Sequence, residues 1–226
     1  MNLIKKLTEN PGLKKIIPTM PYLISKHTKG CEKILDLGCG PDSPIKYAKN
    51  CKFSLGVDGF NEYIIKAKTN NTHSEYKVSN FQNLNFSKNE FDCILLIDVI
   101  EHMPKDEGYK LIKNAKKGAK KIIINSPNGF IKQDSLDGNP LQEHLSGWTL
   151  NDMKNIGFKC YGLAGFKFLR KEVDNNTMGD DLLVTIRFYP KIIWFLVSAL
   201  SQIITYWAPS MSFSIFSVWE KSNEKD

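Results

Sequence analysis

At 226 residues, 42% of them aliphatic, aromatic or cysteine, the chain has an ordinary globular composition and room for one sizeable core with an appendage. Its five cysteines are scattered and form no C-x-x-C pair, which argues against a zinc site or a disulfide frame and for reduced thiols in the cytosol. The net charge of +7 is unevenly placed: residues 1–33 carry seven lysines against Glu9 and Glu32, with no long apolar stretch or small-residue cleavage site, which excludes a secretory signal. A basic end of this kind suits nucleic acid, an anionic membrane or a plain solvated face.

In chain order, Asn2 to Thr8 and Leu13 to Ile17 read as short basic amphipathic helices parted by Pro11-Gly12, and Pro18 and Pro21 end the pattern. Lys33 to Leu37 is a short apolar run with one acidic residue, Asp36, ending in Gly38-Cys39-Gly40. That is a buried strand entering a tight glycine turn, where the backbone can approach a ligand closely. A helix is expected from Pro44 to Asn50, its free N–H groups facing the same crevice. The dinucleotide pattern G-x-G-x-x-G is only partly met, because Ser43 holds the third position.

Phe53 to Val57 predicts a second strand that ends at Asp58, 18 positions after Gly40. An acidic residue at that tip can accept hydrogen bonds from both hydroxyls of a ribose, or it can simply cap the next helix, Asn61 to Asn70. A third strand, Glu75 to Ser79, leads into Asn80-Phe81, then Leu84-Asn85-Phe86 and Phe91-Asp92. Cys93 to Ile97 is a continuous apolar run, as a central parallel strand covered on both faces requires, and it opens into Asp98-Val99-Ile100-Glu101-His102.

Together these stretches resemble the class I S-adenosylmethionine-dependent methyltransferases. Asp36, Gly38 and Gly40 match the family's (D/E)-x-G-x-G-x-G motif, with Asp42 in place of the last glycine. Asn80 to Asp92 resembles its D-x-x-x-L-P-F…F-D signature, with Asn80 for Asp and Asn85 for Pro. Asp98 to His102 resembles the D-V-(L/I)-E-H motif of the ubiquinone-biosynthesis type, whose members methylate small molecules and lipids. The resemblance implies S-adenosyl-L-methionine as cofactor, with contacts from Asp36, Gly38, Cys39, Gly40, Asp58, Gly59, Asn80, Phe81 and Ile97. Asn80 would hold the adenine amino group and the Phe81 N–H its ring N1; the Phe81 ring stacks on adenine or fills core. Some relatives bind a divalent metal through positions equivalent to Asp98, Glu101 and His102. The reading adopted is metal-free, with Glu101 and His102 bracing the loop.

Glu107 to Lys117 predicts a helix whose basic end suits its dipole. Lys121 to Asn125 is a fifth strand, which completes five strands with four interleaved helical stretches. In the following loop, EHLSGWTLNDMKNIGF resembles the family's acceptor-side tail. His144 is the side chain most suited to take a proton near neutrality, or else it fixes Trp148. Asp98 and His102 complete the catalytic candidates. Leu150 to Ile156 is a helix and Phe158 to Leu163 a sixth strand.

Ile192 to Ala208 is strongly apolar, with its polar members Ser198, Ser201, Gln202 and Thr205 on one narrow stripe. At roughly 25 Å it is short of a bilayer span, so an interfacial or re-entrant helix is expected, or one packed on the domain or in a homodimer. Ser212 to Trp219 is read as an antiparallel seventh strand. The expected architecture is α/β and Rossmann-like, with sheet order 3-2-1-4-5-7-6. Residues 1–29 form a basic helical segment, 30–164 and 211–220 the methyltransferase domain, and 165–210 an apolar helical insertion that is a candidate for membrane association. The function expected is methyl transfer to a small-molecule or lipid-type acceptor, most simply at oxygen, by a cytoplasmic enzyme with a peripheral attachment to an anionic membrane surface. The competing reading is a membrane-tethered nucleotide-binding module without methyl transfer. The basic residues cluster at one end and no Asn/Asp-Pro-Pro-Phe/Tyr motif occurs, which argues against nucleic acid.

Overall fold

The computed structural model describes residues 17–81, 84–135, 138–171 and 185–222. The expected helix Asn2–Thr8, nearly all of Leu13–Ile17, much of the polar stretch after Lys167 and the end from Asn223 lie outside the described residues.

Seven strands form one sheet: β1 Lys33–Leu37, β2 Phe53–Asp58, β3 Glu75–Val78, β4 Phe91–Ile97, β5 Ala119–Pro127, β6 Lys159–Phe166 and β7 Ser212–Glu220. Their order is β3-β2-β1-β4-β5-β7-β6, and β7 runs antiparallel to both β5 and β6, as expected. Alternation along the inner strands feeds two cores. Leu35, Ile94, Leu96, Ile122 and Ile124 point to one face, where they meet Leu111, Ile112 and Ala115 of α3 (Lys105–Gly118). Ile34, Cys93, Leu95 and Ile123 point to the other, where Leu23 and Ile24 of α1 (Met20–His27) cover them. The remaining helices are α2 (Asn61–Thr69), α4 (Leu150–Asn155) and α5 (Lys191–Trp207). α4 begins in a capping box, with Thr149 and Asp152 satisfying each other's backbone N–H groups.

Two expectations are corrected. The helix expected over Pro44–Asn50 is a single 3-10 turn, Pro44–Tyr47, started by the Ser43 hydroxyl, which accepts from the Ile45 N–H at 3.0 Å. Returning along a strand of about 17 Å at ~1.5 Å per helical residue needs roughly 11 residues. Only Pro44 to Lys52 remain between the glycine turn and β2, so the chain leaves the helical region at Ala48 instead. Of the four expected helical stretches between the first five strands, only α2 and α3 are regular α-helices among the described residues.

Candidate active site

The carboxyl ends of β1, β2 and β4 converge on a crevice of about 910 Å³. This is where parallel α/β sheets leave room for ligands, because successive crossovers diverge there. Gly38, Gly40, Asp58, Gly59, Asn80 and Phe81 line one side of it, and Asp98 and His102 another. The glycine turn owes its shape to Gly38 and Gly40, at φ +71° and +54°, a region that residues with a Cβ rarely occupy. Their surroundings differ. A Cβ on Gly38 would collide with the Val99 side chain, whereas one on Gly40 would meet nothing within 4 Å. Gly38 thus lets the loop after β4 pack on the turn, and Gly40 leaves the space a ligand needs.

Asp58 is nearly buried at the tip of β2. Its two carboxylate oxygens accept N–H groups from Gly40 at 3.0 Å and Phe60 at 2.8 Å. Burial raises its pKa, an effect the Phe60 and Gly40 amides partly offset. A carboxylate has about four acceptor sites, so about two remain for hydroxyls in the crevice. Phe81 packs against the core and also lines the crevice.

Asp36, Cys39 and Ile97 do not line the crevice. Asp36 lies beneath the turn, where one carboxylate oxygen accepts the Ser43 hydroxyl and contacts His73 Nε2 at 3.0 Å. Ser43, at the third position of the dinucleotide pattern, therefore ties the turn to its strand. His73 was not legible as part of the site, since nothing in its local pattern distinguishes it. Cys39 is buried, and burial pushes its thiol well up, so it is a packing residue here. Ile97 packs on the core that α1 covers.

At the end of β4, Asp98 takes φ +55° and turns the chain into a 3-10 turn, Ile100–His102. The Asn125 amide donates to its carboxylate at 2.7 Å. Burial raises the carboxyls of both Asp98 and Glu101. Asp98 keeps an open face on the crevice and has the Asn125 donor, whereas Glu101 is 2% exposed and its carboxyl oxygens lack partners among the described residues. Glu101 is therefore the member of the pair that holds a proton when no cation is near.

The loop after β5 holds this turn in place. Leu145 and Ser146 donate their N–H groups to the Glu101 carbonyl, and the Trp148 indole donates to the Ile100 carbonyl at 3.0 Å and to the Ser146 hydroxyl at 3.1 Å. His144 has no part in fixing Trp148; its Nδ1–H donates to the Ile131 carbonyl at 2.7 Å. His102 Nδ1–H donates likewise to the Glu143 carbonyl at 3.1 Å. Carbonyl partners set both tautomers, leaving each Nε2 with a free lone pair. The rings lie 4.8 Å apart, with His102 on the crevice wall and His144 behind it. Burial lowers both pKa values, His102 to about 4 with help from His144, so both rings are neutral at pH 7.

Glu101, His102 and His144 each present a ligand atom within 4.8 Å of the others. Two imidazoles anchored by backbone carbonyls and a carboxyl without a partner fit a divalent cation. Asp98, the third member of the set through which some relatives bind a metal, is not part of this cluster, and His144 takes its place. The structure also brings in residues that the sequence did not signal. Asn139, 1% exposed, lines the crevice with an amide nitrogen that has no partner among the described residues. Glu107 and Lys110 of α3 face the same space.

Residues 35–121 match the family described as a methyltransferase domain. A SAM-dependent methyltransferase from Archaeoglobus fulgidus superposes with a TM-score of 0.55 at 18% identity, covering 92% of this chain and 97% of that one. The plantazolicin methyltransferase in complex with S-adenosylhomocysteine gives 0.54 at 13% identity, covering 97% and 93%. Coclaurine N-methyltransferase, bound to N-methylheliamine and S-adenosylhomocysteine, gives 0.53 at 14%, covering 89% and 72%. At such identities the structures speak for the fold alone, and no curated protein matches the sequence. The family match runs from β1 into β5 on the sheet order of that fold, so this stretch of the chain is a methyltransferase domain of the class I type, which takes its methyl group from S-adenosylmethionine.

Proposed function

We propose that the enzyme methylates an oxygen of a small-molecule or lipid-type acceptor, in the cytoplasm and beside a membrane surface. The observation that carries this reading is one continuous crevice with the glycine turn, Asp58 and Asn80 along one wall and the neutral His102 on another. The adenosyl half of the cofactor belongs along Gly40, Asp58, Asn80 and Phe81. The acceptor belongs toward Met103, Glu107 and Lys110, where apolar and charged groups mix. Methyl transfer in line with the S–CH3 bond is mostly a matter of positioning. An acceptor hydroxyl adds the need to remove a proton, which the bare Nε2 of His102 or His144, or the Asp98 carboxylate, can accept. A divalent cation held by Glu101, His102 and His144 would act as a Lewis acid on that hydroxyl.

The test is a screen of hydroxylated acceptors with radiolabelled S-adenosylmethionine, preceded by calorimetry with S-adenosylhomocysteine and NAD. Binding of NAD but not S-adenosylhomocysteine would favour the nucleotide-binding module instead. If His102→Gln and His144→Gln both keep the wild-type turnover and pH profile on an oxygen acceptor, neither ring is a base.

A further inference from the structure

The helix α5 is docked with its polar side inward. Ser198, Ser201, Gln202 and Thr205 are buried, while Ile192, Leu196, Leu200 and Trp207 stand between 51% and 78% exposed. The inward residues serve β6, the edge strand. Gln202 donates to the Gly162 carbonyl at 2.8 Å and accepts from the Gly165 N–H at 3.1 Å. The Ser201 hydroxyl accepts from the Phe166 N–H at 3.0 Å, and Ser198 donates to the Ala164 carbonyl at 3.2 Å. Gly162 and Gly165 allow this approach, since a Cβ on either would strike the carbonyl of Thr205 or Ser198. The polar stripe is thus spent on backbone groups that an edge strand leaves open, and the apolar side faces outward by construction. Among the described residues nothing covers it.

A second feature includes Arg187 and Met211, which flank α5 in the chain. Lys167, Arg170, Lys171 and Arg187 line a cleft of about 830 Å³ together with Phe168 and Phe213, and among the described residues no acidic one lines it. None of the four cations makes an ion pair among the described residues. Arg170 is largely buried over the Phe213 ring, and that burial lowers its guanidinium to about 10. Residues 172–184, outside the described part, add Glu172, Asp174, Asp180 and Asp181 to the sequence. The cleft also neighbours the crevice. Its wall includes Ile131, whose carbonyl holds His144 against His102. Since β5 and β6 both run antiparallel to β7, their carboxyl ends, and with them cleft and crevice, lie at one end of the sheet.

We propose that this surface docks on an anionic membrane. α5 lies in the interface with Ile192, Leu196, Leu200 and Trp207 immersed, and the basic cleft receives lipid phosphates. Only a lipid surface offers a broad apolar layer beside dense negative charge, matching both features at once. Spanning is ruled out for the described helices, none of which is long and apolar enough to cross a membrane. The inference develops the membrane part of the proposed function and stands apart from methyl transfer.

The test sediments the full chain with vesicles of phosphatidylcholine alone, or of phosphatidylcholine and phosphatidylglycerol in equal parts. Wild type should pellet with the anionic vesicles. Leu196→Glu with Leu200→Glu should lower that partition about tenfold or more. Lys171→Glu with Arg187→Glu should lower it about tenfold on anionic vesicles and leave any binding to pure phosphatidylcholine unchanged. All these residues are exposed, and calorimetry with S-adenosylhomocysteine should find the crevice intact in both variants. The proposal is overturned if wild type ignores every vesicle, or if the leucine variant pellets like wild type. It is also overturned if wild type is a dimer without lipid and the leucine variant a monomer, which would give the face to a second copy. Vesicle binding without any S-adenosylhomocysteine binding would sink the methyl-transfer reading and leave this one standing.

Discussion

Replacing Asp58 with alanine tests the cofactor orientation most directly. Its carboxylate accepts two backbone N–H groups, from Gly40 and Phe60, and has about two acceptor sites left over. Two ribose hydroxyls filling those sites make charge-assisted hydrogen bonds, each worth about 1.5–3 kcal/mol when a charged partner is involved. Water competes in the open crevice, so the expected net loss for Asp58→Ala is about 1.5–3 kcal/mol, roughly 10- to 150-fold in Kd. Titration calorimetry with S-adenosylhomocysteine measures it. The analogue lacking the ribose hydroxyls separates a direct contact from a disturbed glycine turn: wild type should lose most of its advantage on that analogue, and the variant little. Equal affinities of wild type and variant for S-adenosylhomocysteine would refute the assignment. So would an equal penalty for the analogue in both.

Three other outcomes are expected. Gly38→Val should unfold or strongly destabilise the domain, because its Cβ meets Val99, whereas Gly40→Ala should keep a folded protein and weaken cofactor binding; thermal melts with and without S-adenosylhomocysteine distinguish them. Manganese titrated into wild type should bind with release of a proton from Glu101, and Glu101→Gln should weaken that binding at least about tenfold; no measurable heat with wild type would dismiss the cation site. His27 is half-buried against Tyr161 and Phe216, and that burial lowers its pKa from 6.5 to about 4. The unfolded chain then binds the extra proton in that window, so stability falls as pH drops through it. His27→Phe should lessen the loss by about 1–2 kcal/mol once solvent screening at its exposed edge is allowed for, as read by denaturant melts across that range.

Local pattern was enough for the strands, the glycine turn and the bounds of α5, because burial on two faces and helical period leave their mark on neighbouring residues. β1 and α5 match the expectation to within a residue at each end. The spacing from Gly40 to Asp58 also placed both at the mouth of one crevice, since one crossover sets adjacent strand tips side by side, though not the hydrogen bond between them. What only tertiary structure decided are relations between distant stretches. The two glycines of the turn look alike in sequence, yet Val99 from another strand separates their roles. His144 lies 42 positions from His102, and only the loop after β5 folding back on the turn after β4 sets their rings 4.8 Å apart. The polar stripe of α5 was legible, but not the direction it faces. That depended on an edge strand whose glycines admit the helix and whose open backbone groups need partners, which turned the polar side inward and left the apolar side to the outside.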